Sequence, residues 1–219
     1  MTAPHAGTPA TSTGVVRAGP ASTAALSQVI ADAFHDLDVS RWLLPGPAVR
    51  RRIFPAYFQL LAEHATTAGL VYTTPGQDAV ALWLPAGAEL PATPEGYADR
   101  LTAITSPWTG QFRAFDAVLD KHHPSGQPHH YLAILAVRPG RQGRGTGSAL
   151  LAAHHAVLDR ERLPAYLAAA SPRSRDLYLR HGYQVQPGAL IQLPDGPRMW
   201  PMWREPRPAA APAPGQEQG

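Results

Sequence analysis

The chain has 219 residues, 44% of them hydrophobic, which suits one globular domain with a buried core and requires no second domain. The absence of cysteine excludes a disulfide framework, a thiolate metal site and a cysteine nucleophile. The net charge of +3 rests on scattered arginines, Lys121 being the single lysine, and the continuous basic stripe with interleaved aromatics expected of a nucleic-acid binder is missing. Residues 1–13 lack a basic start and an apolar run, and no stretch approaches the length of a membrane span, so the expectation is a soluble cytoplasmic protein without signal peptide or membrane partner.

In chain order, residues 1–13 and 206–219 are rich in Ala, Pro, Gly, Thr and Gln and carry no face to bury; disordered tails are expected around a domain spanning 14–205. Gly14 to Ala18 is a short strand candidate. Ser22 or Thr23 can cap a helix whose Leu26, Val29, Ile30, Ala33 and Phe34 share a face. A second helix is expected from about Ala48 to Ala68, and Pro55 could move its start to Phe54. Leu70 to Thr74 and Ala79 to Leu84 form a hairpin around Pro75–Asp78, with Trp83 either a core residue or a wall of the substrate cleft. From Ala86 to Gln127 the spacing is helical again, around Gly96 to Ile104 and around Gln111 to His122. This reads as an insertion between the third and fourth strands, where a segment covering a cleft could form. Its aromatics, Tyr97, Trp108, Phe112 and Phe115, either shape a pocket or pack in the ordinary way.

Tyr131 to Val137 is an apolar strand, followed by a glycine loop and an amphipathic helix over Ser148 to Leu158. Gly143, Gly145 and Gly147 stand at alternate positions, and the amides of a loop entering a helix form an anion cradle, so a phosphate-bearing ligand is expected there. A nucleotide triphosphate loop is excluded because Thr146 stands where its lysine belongs, and a dinucleotide fingerprint because Ser148 replaces the third glycine and no acid ends the next strand. Ala165 to Ala169 is a buried fifth strand. Ser171 or Ser174 caps a helix that Gly182 stops, and Tyr183 to Leu193 and Met199 to Arg204 read as two strands around Pro194–Pro197.

The segment Arg141-Gln142-Gly143-Arg144-Gly145-Thr146-Gly147 resembles the Gln/Arg-x-x-Gly-x-Gly/Ala loop of the GNAT superfamily of N-acetyltransferases, and Leu177-Tyr178-Leu-Arg-His-Gly182-Tyr183 is similar to the segment that ends its coenzyme-binding half. The closing Leu193-Pro-Asp-Gly-Pro-Arg-Met-Trp200-Pro-Met-Trp, with Ser171-Pro-Arg and Val80-Ala-Leu-Trp83-Leu-Pro85, resembles the puromycin N-acetyltransferase group within it. The likeness spans residues 14 to 205 and is dense from Tyr131 onward. Two positions depart from it: Ala168 stands where relatives commonly carry an acid, and Ser174 where they commonly carry asparagine, although serine can still bond coenzyme or cap the helix.

The resemblance implies an α/β GNAT fold, a mixed central sheet with splayed fourth and fifth strands flanked by helices. It implies acetyl-coenzyme A as co-substrate, held by main chain around Leu135, Ala136 and Val137, by the loop from Arg141 through Ser148, and by Ser174 and Tyr178. Tyr178 would protonate the leaving thiolate: a thiol titrates near ~8.5 and a phenol near ~10, so a neutral tyrosine can serve. His130, or His129 beside it, has a suitable pKa for general base, and a water chain is the alternative. Trp83, Trp108, Phe112 and Tyr131 are the expected substrate-binding residues. His122-His123 and His129-His130 lack the spaced third ligand of a zinc site, so no metal is expected. The implied function is acetyl transfer to the primary amine of a small molecule, an antibiotic in resistance or biosynthesis among the candidates, by a monomer or homodimer. The alternatives are a protein or peptide N-acetyltransferase, or a non-catalytic acyl-coenzyme A sensor.

Overall fold

Leu26, Val29 and Ile30, which recur at helical spacing, are each 0% exposed and set the face by which the first helix, α1 (Thr23–Phe34), packs. The structure is a computed structural model that describes residues 14–87, 89 and 91–207; residues 1–13 and 208–219, where tails are expected, lie outside the described residues. A short helix, α2 (Asp38–Leu43), follows α1 and was not expected from the sequence. The long helix α3 (Pro47–Ala68) begins at Pro47 rather than near Phe54. Pro47 lies at the first turn, where a missing N–H is harmless, and Pro55 is carried inside the helix, leaving without a helical donor only the carbonyl of Arg51, an exposed residue that water can serve. The buried Arg50 guanidinium donates to the carbonyls of Leu44 (2.6 Å) and Pro45 (3.0 Å), which ties the turn between α2 and α3.

The strands are β1 (Val16–Arg17), β2 (Leu70–Thr73), β3 (Ala79–Ala86), β4 (His129–Val137), β5 (Ala165–Ala169), β6 (Gln184–Val185), β7 (Ile191–Gln192) and β8 (Arg198–Arg204). They form one sheet in the order β1-β2-β3-β4-β5-β8-β6, with β7 beside β8. Every pairing is antiparallel except β4 with β5, whose parallel order requires the crossover that α6 (Thr146–Glu161) supplies. The single strand expected over Tyr183 to Leu193 is instead two short ones, because Pro187 lacks a ladder donor and Gly188 turns at φ +68° between them. The insertion between β3 and β4 is the helix pair α4 (Tyr97–Thr105) and α5 (Thr109–His122). Among the described residues no helix is long and apolar enough to cross a membrane.

Helices cover both faces of the sheet. On one, α1, α3, α4 and α5 bury residues such as Phe54, Phe58, Leu101 and Phe112 against Val80, Leu82, Ile134 and Ala136. On the other, α6 and α7 (Pro172–Arg180) pack on Ala79, Ala81, Trp83 and Leu132. The second core also holds histidines. His154 Nε2 lies 2.9 Å from His130 Nδ1, and its Nδ1 lies 3.3 Å from the Tyr72 hydroxyl; His155 Nε2 is 3.0 Å from the Tyr183 hydroxyl.

His154 and His155 are 0% and 5% exposed, and burial first, with neighbouring positive groups adding to it, holds both imidazoles down at about 3. An unfolded chain takes up protons at these side chains once the pH falls through ~6.5, whereas the native chain refuses them until far lower, so their contribution is complete above that pH and drains as pH falls. At pH 5 the loss is on the order of 1–2 kcal/mol for each histidine. Asp116 of α5, held up at about 6 by burial, acts with the opposite sign and offsets part of the slope. The urea midpoint is therefore expected to drop between pH 7 and pH 5, and His154→Gln to flatten that drop. A midpoint constant over this range would show that native burial of the imidazoles carries no proton linkage.

Candidate active site

Residues of β4 and β5 pair at only two positions, His130 with Ala165 and Tyr131 with Tyr166. Beyond them β4 continues to Val137 against β3 alone, and β5 continues to Ala169 against β8 alone. The register between β3 and β4 also slips: Leu82 faces Ile134 and Trp83 faces Leu132, which leaves Ala133 as a bulge. A bulge bends and twists its strand. Past Tyr131 the edge of β4 that looks toward β5 therefore lies outside the ladder, and its main-chain groups remain available to a ligand.

The glycine loop begins at the open end of this gap. Gly143 and Gly145 have φ +79° and +83°, in the left-handed region, and a Cβ at either would meet nothing within 4 Å. Glycine is required there for the backbone turn, and the space in front of the loop is clear. Gly145 is the N-cap of α6, so the amides of the first helical turn have no helical acceptor and face outward as an anion cradle. Gly147 differs: its φ is not positive, and a Cβ would make only ordinary contacts, at 3.8 Å to Leu177 and Val137, so close approach does not demand glycine at this position. Arg141 and Arg144 are exposed, Arg141 lying 3.9 Å from the Asp78 carboxylate, and the Gln142 side chain donates to the Val137 carbonyl at 3.1 Å. Leu135 and Val137 pack toward α6 and α7, whereas Ala136 packs into the opposite core. Ser148 Oγ lies 2.9 Å from His181 Nε2. Ser174 is engaged in a capping box: Ser171 Oγ accepts from its amide, and its own hydroxyl accepts from the Ser171 amide, both at 3.1 Å.

Tyr178 stands in the last turn of α7, 7% exposed, with its ring 5.7 Å from that of Tyr183. Burial first, then the nearby Tyr131 hydroxyl, pushes its phenol above the ordinary range, so it is neutral and carries its proton at any physiological pH.

The other expected residues divide between the two faces. His130 turns toward α6, against His154, at the closed end of the gap; the expected entry into the cleft is not where its imidazole points. Its neighbour His129 is 1% exposed and shares a hydrogen bond with His123, Nε2 to Nε2 at 3.1 Å. Trp83 is 0% exposed with its ring 4.3 Å from that of His154, so it belongs to the α6-side core and is not a cleft wall. Phe112 is 0% exposed against Tyr57, ring centroids 4.8 Å apart, and is likewise core. Trp108 is half-buried on the α5 side, and the half-buried Tyr131 feels the charges of Asp116 and Asp120 of α5. Near Tyr131 lies a group the sequence reading overlooked: Asp116 accepts a 2.8 Å hydrogen bond from the Tyr97 hydroxyl, and Tyr57 adjoins them. Its signal was present in the spacing, since Asp116 follows Phe112 at i, i+4 on the face of α5 that Phe112 turns inward. A shallow depression of about 450 Å³ between Gln127, Gln184 and Trp203 lies at the paired end of β4 and β5, away from the gap.

The arrangement joins an open sheet edge, a helix start whose amides lack helical acceptors, and a buried neutral phenol. Residues 112–185 match the family model of the acetyltransferase (GNAT) domain. A solved structure from Corynebacterium glutamicum, described as histone acetyltransferase HPA2 and related acetyltransferase, is similar at 26% identity and TM-score 0.64, over 90% of this chain and 98% of that one. Arylalkylamine N-acetyltransferase 2 from Aedes aegypti shares the fold at 11% identity and TM-score 0.56, covering 89% of this chain and 99% of that one. So does the C-terminal condensation domain of Ebony in complex with beta-alanyl-dopamine, at 15% identity and TM-score 0.57 over 88% and 98%. The chain thus has the α/β GNAT fold with a GNAT acetyltransferase domain over residues 112–185, and it is an acyl-coenzyme A-dependent N-acetyltransferase.

Proposed function

We propose that this protein, as one domain over residues 14–205, transfers acetyl from acetyl-coenzyme A to the primary amine of a small amphipathic molecule, a class that includes aminoacyl-nucleoside antibiotics. The observation that carries the reading is the short β4–β5 ladder, two residue pairs long, which leaves a gap with the glycine loop at its mouth and Tyr178 beside it. The clear space before Gly143 and Gly145 and the exposed Arg141 and Arg144 fit a pyrophosphate. When bound, acetyl-coenzyme A supplies an activated thioester. The free edge of β4 past Tyr131 offers main-chain donors where charge develops on the carbonyl oxygen. Tyr178, which burial keeps neutral, gives its proton to the departing sulfur as the thiolate forms. A water chain to solvent remains the simplest route for the amine proton, since His130 is engaged by His154. The inserted α5, whose Asp116 and Asp120 reach the Tyr131 hydroxyl at the start of the gap, favours a small acceptor over a protein tail.

Two substitutions test the reading. Gly145→Val forces a branched side chain into a left-handed turn, so the folded variant is expected to lose retention on immobilised coenzyme A. Unchanged retention would place the cradle elsewhere. Tyr178→Phe is expected to lower kcat by roughly tens-fold to a hundredfold with little change in acetyl-coenzyme A affinity, the lower range for acid catalysis. Equal turnover by both forms would hand the proton to solvent.

A further inference from the structure

Asp116 is a half-buried carboxylate. It belongs to α5, one turn beyond the fully buried Phe112, and its Oδ2 accepts from the Tyr97 hydroxyl of α4 at 2.8 Å. The titratable groups that reach it are Tyr97 and Asp120, and its own charge is felt at Tyr57 of α3 and Tyr131 of β4. No arginine, lysine or histidine forms an ion pair with it among the described residues. Burial, with Asp120 one turn away, pushes its carboxyl up to about 6 against the opposing hydrogen bond from Tyr97, the mark of a carboxylate short of compensation.

Tyr131 links this carboxylate to the coenzyme side of the gap. The Tyr178 phenol is 7% exposed, has no hydrogen-bond partner among the described residues, and lies close enough to Tyr131 for the two hydroxyls to influence each other. Tyr131 is also the last residue of β4 paired with β5, so the carboxylate whose charge it feels stands on the α5 side of the point where the gap opens. On this face stand also the small residues Ala133, Ala168 and Ala170.

We propose that Asp116 receives the ammonium of the acceptor amine within a wall formed by Tyr57, Tyr97 and Tyr131, and so selects primary amines carried on an apolar or aromatic group; this rests on the acetyltransferase reading above. A charged hydrogen bond to the carboxylate supplies the polar half of recognition, and the ring faces supply the cation–π and apolar half. The acid that position 168 lacks is thereby provided from the inserted helix. A single carboxylate with one acidic neighbour suits one ammonium, not a polycation.

The test uses the full chain with 2-phenylethylamine as probe and spermidine as comparison, following free-thiol release from acetyl-coenzyme A. Wild type is expected to acetylate 2-phenylethylamine in preference to spermidine. Asp116→Asn should raise KM for 2-phenylethylamine about 10- to 100-fold, the loss expected for a charge-assisted hydrogen bond, with kcat within about threefold and acetyl-coenzyme A affinity unchanged by calorimetry. Tyr97→Phe, which keeps the carboxylate and removes its donor, should raise KM by about 2- to 5-fold, and Asp116→Glu should recover part of the loss. Unchanged KM in folded Asp116→Asn overturns the proposal, and so does unchanged KM in Tyr97→Phe if the asparagine variant does not fold. Wild type that uses spermidine alone, or binds acetyl-coenzyme A yet leaves 2-phenylethylamine untouched, overturns it too and spares the acetyltransferase reading. Failure to bind acetyl-coenzyme A at all ends both.

Discussion

Two residue pairs hold β4 to β5, and the rest of the structure accommodates that shortage. Main-chain groups left unpaired inside a sheet are costly unless water or a ligand meets them. The chain keeps the gap open by anchoring each strand on its other edge, with eight paired positions between β3 and β4 and five between β5 and β8. Neither strand can relax toward the other without breaking its better ladder. The bulge at Ala133 adds the bend that starts the separation.

The gap also separates two kinds of surface. On the α6 and α7 side stand the amide cradle and Tyr178, set by helix ends: Gly145 begins one helix and the Ser171–Ser174 capping box begins the other. On the α5 side stand hydroxyls and a carboxylate, set by helix faces: Tyr57, Tyr97 and Asp116 come from three different helices. Helix ends carry a fixed polarity that suits phosphate, whereas helix faces carry whatever side chains the chain places there. In the proposed reaction the first surface is common to any acyl-coenzyme A and the second distinguishes the acceptor.

Much of this was legible in advance. Strand, glycine loop and helix over Tyr131 to Leu158 could be read from spacing alone, and the hairpin of β2 and β3, the helix pair in the insertion and the capped helix bearing Tyr178 followed from turn and cap residues. Pro55 misled, since proline usually marks a helix start or stop; inside α3 its cost falls on a solvent-facing carbonyl and the buried face of the helix holds it in place. The chain over Tyr183 to Leu193 misled in the other direction, an apolar run broken by Pro187 and Gly188.

The sequence by itself determined what depends on neighbours along the chain: positive φ at Gly143 and Gly145, the start of α6, the cap of α7 and the faces of the helices. Only the tertiary structure decided which side of the sheet each expected site residue faces. Successive strand residues alternate between faces, so an unseen bulge at Ala133 shifts the phase for everything after it, and nothing local distinguishes His130, aimed at His154, from Tyr131, aimed at α5. Trp83 and Phe112 became core for the same reason, each meeting a ring from an element remote in sequence, His154 and Tyr57. The pairing of Asp116 with Tyr97 was out of reach as well, because the burial that makes a lone carboxylate meaningful arises only when α3, α4, α5 and β4 close around it.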